Sequence, residues 1–190
     1  GAKIFNKEKV SDSLRLKGFQ VSNHWQDLAT LKAPFVLLDD AKTVSMLKGR
    51  ENFLTEAFTK TQQTLSKNPK GFFMMAEGAQ IDYGGHANKI PYVVTEMLDF
   101  DQLIGEALRF ADSNGETLVI VTADHETGGL TLLDGNLKKG YVDGHFSTND
   151  HTAVMVPVFA YGPHALDFRG VYENTEIFNK ILSVFKRYNK

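Results

Sequence analysis

Apolar residues fall along the chain in two periods, and the alternation between them lays out the fold. Residues 6 to 17 place apolar positions at helical spacing, GFQVS (18–22) reads as a strand, and a helix is expected to begin near His24 and Trp25. APFVLLDD (33–40) has a continuous apolar centre, as buried strands do. From Glu51 to Lys67, the residues Phe53, Leu54, Ala57, Phe58 and Leu65 fit a helix, which Asn68, Pro69 and Gly71 interrupt. GFFMMAEG (71–78) is a short apolar run bounded by glycines and predicts a buried strand. The longest periodic segment, Pro91 to Ser113, puts Val94, Met97, Leu98, Ile104, Ala107 and Leu108 on one face, interrupted by Asp101, and stops at Asn114 and Gly115. Leu118 to Thr122 predicts a further strand, 128–150 a glycine-rich and polar loop region with short strands, 153–162 another buried strand and 175–188 a closing helix.

Strands alternating with helices predict an α/β fold, a mostly parallel sheet flanked by helices. No internal repeat, low-complexity tract or interdomain linker divides residues 1–190, so the chain reads as a single α/β segment. A hydrophobic content of 42% with 23% charged residues is that of an ordinary globular domain. The net charge of -2 brings no general attraction to nucleic acid or to anionic membrane, so an anionic substrate must be held by something local, such as a metal. With no cysteine, thiolate sites are excluded and oxygen and imidazole remain as metal ligands. No apolar run has the length of a bilayer span, and GAKIFNKEK lacks the apolar centre of a signal peptide. The missing initiator Met suggests a processed, engineered or truncated beginning.

In open α/β sheets, ligands gather outside the carboxyl ends of the strands. Glu77, Asp124 and His125 each follow a predicted strand, and Asp82 and His86 lie in the segment entering the long helix. The four-residue spacing of Asp82 and His86 lets a carboxylate and an imidazole share one side of a helical turn, as two zinc ligands can. A third ligand comes from His151, at a loop-to-strand junction, or from His145, which composition alone does not separate from it. Singly, each motif has a plainer reading: an Asp-x-x-x-His pair as a surface helix pair, Asp-His after a strand as a cap or turn, Glu77 as a salt-bridged carboxylate. Together they gather acids and imidazoles beside apolar strands, an arrangement that is costly without a cation.

The stretches AEGAQIDYGGH (76–86), VTADHETGG (121–129) and HTAVMVPVFAYGPHA (151–165), in that order and with the long helix between the first two, resemble the alkaline phosphatase family. The resemblance is strong over about residues 70 to 165 and weak before them. It implies two zinc ions and one magnesium ion at the sheet ends, and a serine that is phosphorylated and then freed by zinc-activated water. On that pattern Asp82, His86 and His151 look like ligands of the first zinc, Asp124 and His125 of the second, and Glu77 of the magnesium; the resemblance is what favours His151 over His145. The substrate implied is a phosphate monoester, and the implied location is periplasmic or secreted. Tyr83 stands where some relatives carry a Lys or His that tunes phosphate and metal binding.

The family's serine lies in an Asp-Ser-Ala motif of an N-terminal half, and no serine here is followed by Ala; Asp12 and Ser13 come closest, followed by Leu14. The chain therefore reads as the C-terminal part of a longer alkaline phosphatase domain, with the nucleophile, the bridging Asp and a phosphate-binding Arg in a missing N-terminal half. That cut predicts exposed apolar surface and a possible homodimer. The alternatives are a segment of a related phosphodiesterase, sulfatase or phosphoglycerate mutase, or a non-catalytic metal-binding module.

Overall fold

A computed structural model describes residues 7–32, 34–38 and 43–188. Helix α1 (Lys7–Leu16) leads to strand β1 (Gln20–Ser22), a short 3₁₀ helix (Trp25–Ala29) and strand β2 (Phe35–Leu37). Helices α2 (Phe53–Leu65), α3 (Gln80–His86) and α4 (Ile90–Asn114) follow. Strands β3 (Val119–Thr122), β4 (Glu126–Thr127), β5 (Thr131–Asn136), β6 (Tyr141–His145), β7 (His151–Thr152) and β8 (Val158–Tyr161) precede the closing helix α5 (Glu176–Tyr188). Of the expected run 33–40, Ala33, Asp39 and Asp40 lie outside the described residues.

The α/β alternation is as the sequence patterning requires. Parallel pairing occurs in β1–β2, with Val21 opposite Val36, whereas β3–β8, β4–β7 and β5–β6 are antiparallel among the described residues. Antiparallel partners need no crossover helix, and β5 and β6 are joined by one tight 3₁₀ turn, Leu137–Lys139. The segment 71–78 was expected as a buried strand and forms no ladder with any described residue. It still alternates: Phe72, Met74 and Ala76 are partly covered, while Phe73 is 60% and Met75 79% exposed. Extended backbone points successive side chains to opposite sides, so one side packs toward α4, through Phe72 and Phe110, and the other stays largely exposed, with Phe73 meeting the Phe185 ring of α5 at 6.5 Å. The run 153–162 likewise forms a strand only over β8, leaving Val154, Met155 and Phe159 exposed.

Helix α4 is the spine, in contact with α2, α3, β3 and the turn Met46–Lys48. It starts with Pro91 in its first turn and ends where the Gly115 N–H donates to the Ala111 carbonyl at 2.8 Å, Gly115 having φ +66°. Its buried stripe is Glu96, Asp99, Leu103 and Ala111, not the face expected from apolar spacing: Met97 and Leu98 are exposed. The reason is electrostatic. Arg50, itself buried, donates through Nη2 to Glu96 Oε2 and to Asp99 Oδ2 at 2.6 Å, and through Nη1 to the Val44 carbonyl at 3.2 Å. Glu96 Oε1 accepts the Met46 N–H at 2.7 Å, so both carboxylates of α4 clasp the segment 44–50. Burial opposes the Arg50 charge, and the two carboxylates more than offset it, raising the guanidinium above its ordinary range.

The accessible surface is 13244 Å², against about 9,100 Å² for a compact monomer of this 21.2 kDa mass. Among the described residues only Leu28, Leu103, Ala111 and Phe168 are buried apolar side chains. Even α5, with Phe178, Leu182 and Phe185 along one side, leaves that side accessible. No described helix is long and apolar enough to cross a membrane. Replacing Arg50 with Ala leaves two buried carboxylates without their cation and is expected to cost about 3–5 kcal/mol, measured as a fall in the urea midpoint by circular dichroism.

Candidate metal centre

Three candidate ligands, one carboxylate and two imidazoles, converge because α3 is pressed between α4 and β4. Gly84 and Gly85 make that approach possible: a Cβ on Gly84 would stand 3.0 Å from the Val93 backbone nitrogen, and one on Gly85 2.8 Å from the Thr127 carbonyl oxygen. Only glycine allows such contact. One turn of α3 then carries Asp82 and His86, four residues apart, toward β4 and its partner β7. The register of that pair sets Thr127 opposite His151 and Glu126 opposite Thr152.

The result is a triangle of ligand atoms. His86 Nε2 lies 3.2 Å from His151 Nε2 and 3.4 Å from Asp82 Oδ1, and His151 Nε2 lies 3.6 Å from the same carboxylate oxygen. Ligands at about 2.0–2.1 Å from a tetrahedral zinc stand roughly 3.3 Å from one another. These residues therefore fit zinc in donor type and in spacing. They are the one group of three or more such side chains among the described residues. His145, the competing candidate, sits on β6 opposite Thr131 and outside this group.

Proton placement suits the same role. His86 Nδ1 is 2.7 Å from the carbonyl oxygen of Asn149, which can only accept, so the ring proton sits on Nδ1 and the Nε2 lone pair faces Asp82 and His151. Asp82 Oδ1 accepts the Thr127 hydroxyl at 2.5 Å, which fixes the carboxylate. All three candidate ligands are partly accessible to solvent.

Asp124 and His125 sit beside this group at the end of β3. His125 Nε2 is 3.3 Å from Asp124 Oδ2, and its Nδ1 is 3.3 Å from the Glu126 carbonyl and 3.2 Å from Thr127 Oγ1. The His125 and His151 rings stack at 3.6 Å between centroids with 20° between planes. Asp124 is 84% exposed, an accessible carboxylate beside an imidazole. Glu77 is exposed at the end of the extended segment 71–78 and outside the triangle. Tyr83, the neighbour of Asp82, is exposed. Asp12 pairs instead with Arg15 at 3.2 Å on the surface of α1, remote in role from any nucleophile motif.

Sequence patterning gave no sign of Glu126, Thr127 or the Asn149 carbonyl. Glu126 accepts hydrogen bonds from the Thr152 hydroxyl and from the backbone N–H groups of Leu130 and Gly129, each at 3.1 Å. Desolvation, the largest single influence, works against its ionised form; these three donors and the nearby His125 outweigh it and hold the carboxyl below its ordinary range. Gly128 and Gly129 looked like turn residues, and Gly128 (φ +93°) is indeed in the left-handed region. Glu126 is what that turn is folded around.

Gly85→Ala is expected to lower stability by about 1–3 kcal/mol, because the Thr127 backbone cannot yield as a flexible side chain would. The check is a urea titration, with Lys89→Ala as an exposed control on the same segment.

The family model for alkaline phosphatase matches residues 36–143 and 142–186. Alkaline phosphatase H of Pseudomonas aeruginosa is 38% identical over 141 residues, covering 66% of this chain and 30% of that protein. The alkaline phosphatase of Escherichia coli is 36% identical over 141 residues, with the same shares. Among solved structures, the alkaline phosphatase of the Antarctic bacterium TAB5 superposes with a TM-score of 0.80 at 44% identity, covering 93% of this chain and 54% of that one. Another structure of that enzyme, a mutant described with Mg bound in its M3 site, gives a TM-score of 0.82 at 42% identity over 97% of this chain. The chain thus spans about a third of the length of these curated relatives and about half of the solved TAB5 chain. With the match extending through α3 and β7, which carry Asp82, His86 and His151, the chain belongs to the alkaline phosphatase family.

Proposed function

We propose that this chain is the metal-cradle portion of a metal-dependent phosphomonoesterase, acting on phosphate monoesters. The observation that carries the reading is the triangle of Asp82 Oδ1, His86 Nε2 and His151 Nε2, with edges of 3.2 to 3.6 Å. These three residues hold the first zinc. Asp124 and His125 contribute to a second zinc, and Glu77 is one ligand of a magnesium ion. Zinc there supplies a Lewis acid that lets water act as a nucleophile near neutral pH.

The chain's own residues orient and neutralise. Asn149 fixes the His86 tautomer, Thr127 fixes the Asp82 carboxylate, and the His125–His151 stack holds the two imidazoles side by side. Asp82, Asp124, Glu126 and Glu77 make the region acidic, so a phosphate ester approaches only once cations have reversed that charge.

In this reading the serine nucleophile lies in the part of the family fold that this chain does not span. Ser147, the serine nearest to His151 in sequence, donates its hydroxyl to the Gly129 carbonyl and has no base beside it among its hydrogen bonds. The same missing part covers the open apolar side of Phe73, Met75 and Phe185. Periplasmic or secreted placement follows from the family alone. The match to the alkaline phosphatase family model favours this reading over a sulfatase, phosphodiesterase or phosphoglycerate mutase.

Calorimetric titration of the chain with zinc is expected to show one tight site that His151→Ala weakens by at least tenfold, while hydrolysis of p-nitrophenyl phosphate stays near background. Absence of zinc binding, or rapid turnover abolished by His125→Ala, contradicts the assignment. The uncovered apolar surface is expected to drive self-association, read as a sedimentation coefficient and melting temperature that rise with protein concentration; a concentration-independent monomer argues against the missing cover.

A further inference from the structure

We infer that Glu126 is a positioning residue for the zinc triangle, acting on His151 through Thr152 rather than by touching a metal. The inference rests on the metal assignment above and goes beyond it, because Glu126 belongs to neither ligand set.

The β4–β7 ladder is two residues long on each side, too short to hold its own register. Yet it determines where His151 stands, since Thr127 is opposite His151 and Glu126 opposite Thr152. Glu126 supplies what the ladder lacks. One carboxylate oxygen, Oε2, accepts from the Thr152 hydroxyl and from the Gly129 N–H at 3.1 Å; the other, Oε1, accepts from the Leu130 N–H at 3.1 Å. The side chain thus ties together the strand that carries His151, the turn after β4, and its own strand next to His125. Gly128 continues the tie, donating its N–H to the Asp150 carbonyl at 2.9 Å, immediately before His151.

All three groups facing Glu126 are donors, so the site demands an acceptor at both oxygens. Glu126→Gln is nearly the same size but places an amide N–H₂ against at least one of those donors. Repulsion there opens the contact with Thr152 or with the turn, and His151 moves away from His86 and Asp82. Loss of such an outer contact typically lowers metal affinity by about 10–100-fold.

The test compares the chain with Glu126→Gln, His151→Ala and the double variant, using competition of zinc with a chromophoric chelator. NMR of the metal-free proteins reports the contact between the His125 and His151 rings. Expected is a 10–100-fold weaker affinity in Glu126→Gln, no further loss from Glu126→Gln in the His151→Ala background, and a lost ring contact. Equal affinity in Glu126→Gln and the unsubstituted chain overturns the inference and leaves the zinc assignment standing. An equal additional loss in the His151→Ala background also overturns it, because the effect then does not pass through His151. If the unsubstituted chain binds no zinc, the metal assignment fails, and the ring contact decides the rest: a contact that survives Glu126→Gln overturns the positioning role, and one that is lost supports it.

Discussion

A two-residue antiparallel pairing, β4 on β7, is the constraint on which the site depends. The two strands are 23 residues apart in the chain, counted from Thr127 to His151 exclusive, and nothing local obliges them to meet. When they do, three otherwise separate facts become one geometry: His125 stacks on His151, the Thr127 hydroxyl reaches Asp82, and the Thr127 backbone receives the glycine side of α3. Candidate ligands drawn from one helix and one strand are rigidly related because that backbone contact permits no intervening atom.

Charge is handled in opposite ways at two places in the fold. Around Arg50 a cation is buried with two carboxylates of α4, and the cluster joins the segment 44–50 to the spine. Among the described residues Arg50 Nε and Asp99 Oδ1 lack partners, so this cluster is incompletely satisfied and serves more to define which face of α4 is inward than to add stability. At the candidate metal centre Asp82 is partly and Asp124 largely exposed, and among the described residues their ion-pair partners are histidines rather than arginine or lysine. Imidazoles fill the places where salt bridges would otherwise form, and imidazoles leave lone pairs for an external cation.

Much of the helical architecture was legible because helices of this length announce themselves by period and by breakers: α2 and α4 end where Asn68, Pro69 and Gly115 predict. The inward face of α4 was not, since apolar spacing has no means of showing that Glu96 and Asp99 would be buried by a distant arginine. The strands were overread for a related reason. Apolar runs at 71–78 and 153–162 carry a burial signal that their described neighbours satisfy only in part. At the candidate site, Asp82 and His86 could be paired from spacing, while His151 and His145 could be separated only by resemblance; strand register, which decides between them in space, is a long-range property. Glu126 was hidden because a carboxylate that serves backbone donors leaves no periodic trace.

The proton that orients His86 is received by the main-chain oxygen of Asn149, not by a side chain. Every amino acid brings the same carbonyl to that position, so the identity of residue 149 is uncoupled from the ring's tautomer, whereas the path of the loop is not. Sequence drift at 149 is thereby harmless to the site so long as the backbone route is kept, and insertions or deletions between β6 and β7 are the changes to which the imidazole is sensitive.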